Sequence, residues 1–141
     1  MENQNNTIPT GLNYKQFYKE LGHLLYAVSC TDGKVRKQEV EALREFVLKE
    51  LAPFEPTSDS SGMNQAFYTQ FEFDDIAEKQ QPASEVFSQF LNYLKKNAPS
   101  INSHLKTAII ASVEKVADAY KKTNKLEREM INNLKQEIKA L

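Results

Sequence analysis

The sequence predicts an all-α fold, and three observations predict it. Apolar residues recur at helical spacing through most of the chain, only four Gly and five Pro occur in 141 residues, and no Gly follows Gly62. Sandwiches, barrels and propellers are built from many short strands and need far more turn residues. The length suits one domain, which can bury roughly 68–70% of its unfolded surface without a disulfide or metal staple. The expectation is a flexible tail over residues 1–12 and a single helical domain over residues 13–141, with about five to seven helices.

The elements follow in order. Phe17, Leu21, Leu24, Leu25 and Val28 form the stripe of an amphipathic helix near 13–30. Asn13 is its N-cap, and Gln16 lies three residues on, in capping-box spacing. Gly33 ends that helix, and Val40, Leu43, Val47 and Leu51 set a second one near 36–51, with Glu45 and Lys49 paired on its wet face. Pro53, Pro56 and the run from Thr57 to Gly62 make a surface loop. Residues 66–76 carry four aromatics whose spacing suits a helix at Phe67 and Phe71 but a strand at Phe71 and Phe73, so periodicity leaves both open. Pro82 opens a helix through Val86, Phe87, Phe90, Leu91 and Leu94 that stops before Pro99. Leu105, Ile109, Val113, Val116, Ala117 and Tyr120 then give the longest pattern, a helix of about 20 residues able to act as the spine of the core. Leu126, Met130, Ile131, Leu134 and Ile138 form the last helix, opened by Asn124 and Glu127 in capping-box spacing.

Two helix hairpins therefore flank an irregular middle, and they read as a pseudo-repeat. A shift of 92 lays Leu21, Leu24, Leu25 and Val28 on Val113, Val116, Ala117 and Tyr120. After one deletion, a shift of 91 lays Val35, Val40 and Leu43 on Leu126, Ile131 and Leu134.

Charge and composition exclude several functions. The 18 basic and 19 acidic residues nearly cancel, to a net charge of −1, which argues against a dedicated polyanion binder. From Lys95 onward there are 10 basic and 5 acidic residues, with Lys121, Lys122 and Lys125 clustered at a loop. Lysines near helix C-termini complement the macrodipole, and no recognition helix is identifiable, so no nucleic acid is expected. The single cysteine, Cys30, excludes an intrachain disulfide framework. The start of the chain lacks the basic-then-apolar order of a secretory signal, and no apolar stretch nears the about 20 residues of a transmembrane segment. A cytoplasmic location is expected.

The most specific local string runs from Ala27 to Glu39. Its second half, Asp32-Gly33-x-Val35-x-x-x-Glu39, matches the latter part of a calcium-binding loop. The first half supplies Val28 and Cys30 where oxygen ligands belong, leaving Asp32 and Glu39 too few for a full calcium site. Two readings follow. Asp32 and Glu39 bind a divalent cation weakly, or Asp32 makes a local turn, Gly33 takes positive φ and Glu39 lies at the positive end of the second helix.

An apolar helix ending in Ala-x-x-x-x-Asp-Gly-x-Val-x-x-x-Glu, followed by a second apolar helix, resembles the TerB-like group of tellurite-resistance-associated proteins. That group also includes the N-terminal region of a membrane-anchored DnaJ-type co-chaperone. Val116-Ala117-Asp118-Ala119-Tyr120 followed by Asn124-Lys125-Leu126-Glu127 resembles the Ala-rich helix, Asn-Lys-x-Glu loop and closing helix of bacterial TerB-like proteins. The segment Phe71-Glu72-Phe73-Asp74 resembles an insert between their hairpins. These motifs cover about half the chain. The resemblance implies a TerB-like helical bundle and a non-catalytic module of a bacterial stress-response system, acting by protein interaction or, as the alternative, by metal sensing at Asp32 and Glu39. Gly33, Asn124, Lys125 and Glu127 are its loop residues. Many members carry a second Asp-Gly loop, whereas Thr123-Asn124-Lys125 stands in its place here.

Catalysis has little support in the sequence. His23 and Cys30 lie about two helical turns apart, on the order of 10 Å, too far to share a proton. His104 is isolated, and Glu72, Asp74, Asp75 and Glu78 read as a solvated face. Phosphate-loop, zinc-helix and nucleophile-elbow motifs are missing. Phe67, Tyr68, Phe71 and Phe73 exceed what one helix or strand face can hide, which makes them the candidate surface for an unidentified protein partner or a second copy of the chain.

Overall fold

The computed structural model describes residues 12–55, 62–119 and 124–141. Among them are six α-helices: α1 (Tyr14–Ser29), α2 (Lys37–Phe46), α3 (Tyr68–Lys79), α4 (Ala83–Lys96), α5 (Ser103–Asp118) and α6 (Lys125–Lys139), with no extended strand. The fold is an all-α bundle. Pro56 to Ser61 and Tyr120 to Thr123, which include the expected core residue Tyr120 and the basic Lys121 and Lys122, lie outside the described residues.

Three asparagines start helices by one local device. The side-chain oxygen of Asn13 accepts from the Gln16 amide at 3.0 Å, that of Asn102 from Leu105 at 2.9 Å, and that of Asn124 from Glu127 at 2.7 Å. Each satisfies an amide that the first turn leaves without a helical partner. Gln16 does not close the expected box; its amide turns outward to Glu20 at 2.9 Å. The second helix departs from its expected run to residue 51. It is α-helical to Phe46, widens into a π turn over Val47–Leu51, and ends in a 3-10 turn over Ala52–Phe54. Pro53 explains the change, since it has no N–H to donate and its ring crowds the preceding turn.

The segment that periodicity left open is helical. A 3-10 turn at Gln65–Phe67 leads into α3, whose Thr69, Phe73 and Ile76 are buried. The spine of the core is α1 rather than α5. Phe17, Leu21, Leu24, Leu25 and Val28 are fully buried, and Tyr18, Gly22, Tyr26, Ala27 and Ser29 bury the other side. Helices α3, α4, α5 and α6 all pack on it. Helix α2 lies chiefly against α5 of the other hairpin instead of against its sequence neighbour α1.

Gly22 sets the α1–α3 approach. A Cβ there would fall inside van der Waals contact of the Thr69 carbonyl oxygen and 3.1 Å from the Phe73 nitrogen. Around this crossing, Tyr26 meets Phe73 edge-on at 6.3 Å, and His23 Nε2 lies 3.0 Å from Glu72 Oε1.

The two hairpins match best at one constant offset of 88, the separation of Glu39 from Glu127, with no deletion. Phe17, Leu21, Leu25 and Val28 then fall on Leu105, Ile109, Val113 and Val116, and Leu43 and Phe46 on Ile131 and Leu134; all are buried. The offsets 92 and 91 are displaced from it by about one helical turn, and the 91 offset places Val35 on Leu126, which is 57% exposed.

Gly22→Ala is expected to destabilise the domain by about 1–3 kcal/mol through overpacking against backbone that cannot give way. Leu126→Ala should stay within about 0.5 kcal/mol of the wild type, as exposed positions do. Denaturant unfolding of both variants checks the pair, and equal midpoints would contradict the α1–α3 assignment.

Candidate functional site

The loop after α1 is shaped by Asp32 and Gly33. Asp32 Oδ1 accepts from the Lys34 amide at 3.1 Å, and Gly33, at φ 87°, donates to the Cys30 carbonyl at 3.0 Å. That positive φ is open to glycine and strained for other side chains. Four residues after Asp32, Arg36 Nη2 lies 2.8 Å from Asp32 Oδ2. The chain is extended at Arg36, which precedes α2, and its amide donates to Glu39 Oε1 at 2.9 Å.

The second loop approaches the first. Thr31 Oγ1 lies 3.4 Å from Asn124 Oδ1, the same oxygen that caps α6. Glu39 and Glu127 occupy the third position of α2 and α6, and both are buried, at 2% and 3% exposure. The two carboxyls are near enough that each shifts the protonation of the other. The structure thus joins Asp32, Gly33, Glu39, Asn124 and Glu127 at one end of the bundle, while Lys125 points to solvent.

Burial raises the Glu127 carboxyl to about 7, and the charges of Glu39 and Asp32 add to that effect while Arg36 opposes it. Burial also raises Glu39, against the Arg36 amide hydrogen bond and the guanidinium charge. Asp32 is lowered, first by its hydrogen bond from Arg36. A divalent cation does not fit this arrangement. Asp32 is held by a guanidinium, Glu39 already accepts a backbone amide, and Glu127 retains its proton close to neutrality; a hard cation needs 6–8 oxygens. Among the described residues, no three His, Cys, Asp or Glu side chains converge to hold a metal.

The aromatic set divides. Phe73 is 1% exposed and belongs to the core against Tyr26, so it is not part of an outer surface. Phe67 and Tyr68 are half-buried against the core, with Lys15 Nζ 4.8 Å from the Tyr68 ring centroid. Phe71 is 43% exposed and meets Tyr68 edge-on at 6.2 Å. Sequence reasoning missed Leu48, which is 58% exposed on the π turn. It was counted on no face, and a widened turn is invisible to a fixed helical period. Arg36 was missed as well, although its i, i+4 spacing from Asp32 was a readable signal.

The titratable residues considered for catalysis lie apart. His23 bridges to Glu72, Cys30 is half-buried beside a cavity with Tyr26 and Gln80, and His104 lines a different recess with Phe46 and Glu50. Asp74 pairs with Arg44 at 3.2 Å and Asp75 with Lys79 at 2.9 Å. No helix among the described residues is long and apolar enough to cross a membrane. No family model, curated protein or solved structure matches the chain.

A carboxyl whose folded pKa is raised contributes stability that is fully present below its unfolded value and lost as pH rises through the folded one. For Glu127 that window runs from about 4.5 to about 7. Glu127→Gln, which keeps shape and donates a hydrogen bond without charge, should therefore be more stable than the wild type at pH 8, by about 1–3 kcal/mol at one pKa unit per 1.4 kcal/mol. The advantage should vanish by pH 5. Thermal unfolding across that range checks it; a constant difference between the two proteins would contradict the raised Glu127 carboxyl.

Proposed function

We propose that this chain is a non-catalytic, TerB-like protein-interaction module of a bacterial cytoplasmic stress-response system. The convergence of the two loop motifs at one end of the bundle supports the family reading. The observation that carries interaction is the exposed apolar pair Leu48 and Phe71.

The two side chains flank one ion pair. Arg44 and Asp74 join α2 to α3 at 3.2 Å, Leu48 lies four residues after Arg44, and Phe71 lies three before Asp74. Residues at these spacings share a helix face. The π turn carrying Leu48 packs against the 3-10 turn that precedes α3, so Leu48 and Phe71 lie towards the same end of the pair. Exposed apolar side chains grouped in this way, rimmed by Arg44, Asp74 and Lys49, have the composition of a small recognition patch. A protein partner or a second copy would bury them.

The test is the double variant Leu48→Ser, Phe71→Ser. It should melt within about 0.5 kcal/mol of the wild type, since neither side chain is core. It should lose a partner that wild-type protein cross-links in its native cell, or lose self-association in light scattering. Unchanged cross-links together with an unchanged mass in solution would refute the assignment of this patch.

A further inference from the structure

We infer that Arg36 is a built-in counter-ion at the junction of the two hairpins, its guanidinium paired with Asp32 and offsetting the buried acidic groups Glu39 and Glu127. The inference stands on the loop geometry and does not depend on the apolar patch.

Arg36 is the N-cap residue of α2, and its side chain has no acceptor to offer the first-turn amides. Asn, Asp, Ser and Thr are the residues that stabilise this position, and a cation beside a helix N-terminus meets the positive end of the dipole. At the constant offset of 88, the corresponding residue is Asn124, which caps α6 at 2.7 Å. Arg36 is thus the wrong residue for the local task in the one hairpin that carries the acidic loop. Its surroundings explain the choice. The guanidinium reaches back to Asp32 at 2.8 Å, its own amide holds Glu39 at 2.9 Å, and Glu127 lies against Glu39.

Arginine suits this work chemically. Its guanidinium stays charged at any relevant pH, is weakly hydrated, and forks two N–H groups toward a carboxylate. A calcium or magnesium ion would need several further oxygens, and Val28 and Cys30 stand where a calcium-binding loop would supply two of them. The fixed charge keeps the junction independent of metal supply.

The experiment compares melting temperatures at pH 8. Arg36→Asn installs the better cap, so a residue acting only as N-cap would give a higher melting temperature on this change. A counter-ion gives the opposite: Arg36→Asn melts several degrees lower, Arg36→Lys retains most of the wild-type value, and the double variant Arg36→Asn, Glu127→Gln recovers most of the loss. Millimolar magnesium, calcium, manganese or zinc leaves the wild type unchanged. Melting of Arg36→Asn at or above the wild type, no recovery in the double variant, or a saturable rise of the wild type with any of these ions would each overturn the inference.

Discussion

Helix α1 is buried except for the polar stripe of Lys15, Gln16, Lys19 and Glu20, and the bundle is arranged around that constraint. Burying a Leu, Val or Phe side chain is worth about 1.5–3 kcal/mol, and five such residues of α1 are fully buried. One flanking helix could not cover them, so α3, α4, α5 and α6 all lie on α1. Gly22 permits the closest of these approaches, because at the α3 crossing the space for a side chain is taken by backbone at Thr69 and Phe73. The helix expected to be the spine, α5, buries six residues and keeps a solvated face.

Helix starts were legible because they are local. Asn13 and Asn124 carry their signal within three residues, and the bonds form without help from the rest of the fold. The bundle class was legible for a similar reason, since helical spacing persists through enough of the chain to outweigh single misreadings. The register between the hairpins was not. Glu39 and Glu127 occupy inward positions that any apolar template assigns to solvent, so the pattern slid to Val40 and Leu126. Once both carboxyls are counted as core, the need for a deletion disappears. With helix and strand both open over residues 66–76, Phe73 and Phe71 share one candidate surface, but the helix that forms puts their spacing of two residues on different sides.

The candidate site was legible in parts. Asp32, Gly33, Glu39, Asn124 and Glu127 stand out because turn and cap chemistry needs those residue types at those spacings. Their meeting across a separation of 88 residues belongs to tertiary packing, in which α2 crosses to α5 and brings its first turn beside that of α6. Leu48 was illegible because Pro53 perturbs the turn before it, which rotates the face that a regular period would assign.

Two glutamates at the third position of a helix would ordinarily be a routine arrangement. Each gains about 0.3–1 kcal/mol from the positive helix end, and Glu39 on the order of 1 kcal/mol more from the Arg36 amide. Burying an ionised carboxylate costs several kcal/mol, so the local gains cannot hold both charges inside. Burial and the charges of Glu39 and Asp32 keep the Glu127 proton up to about 7, which removes one charge, and Arg36 offsets part of the other. Such an arrangement weakens as pH rises through the raised Glu127 carboxyl, whereas the buried Glu55 beside α1 accepts a hydrogen bond from Tyr18 at 2.6 Å.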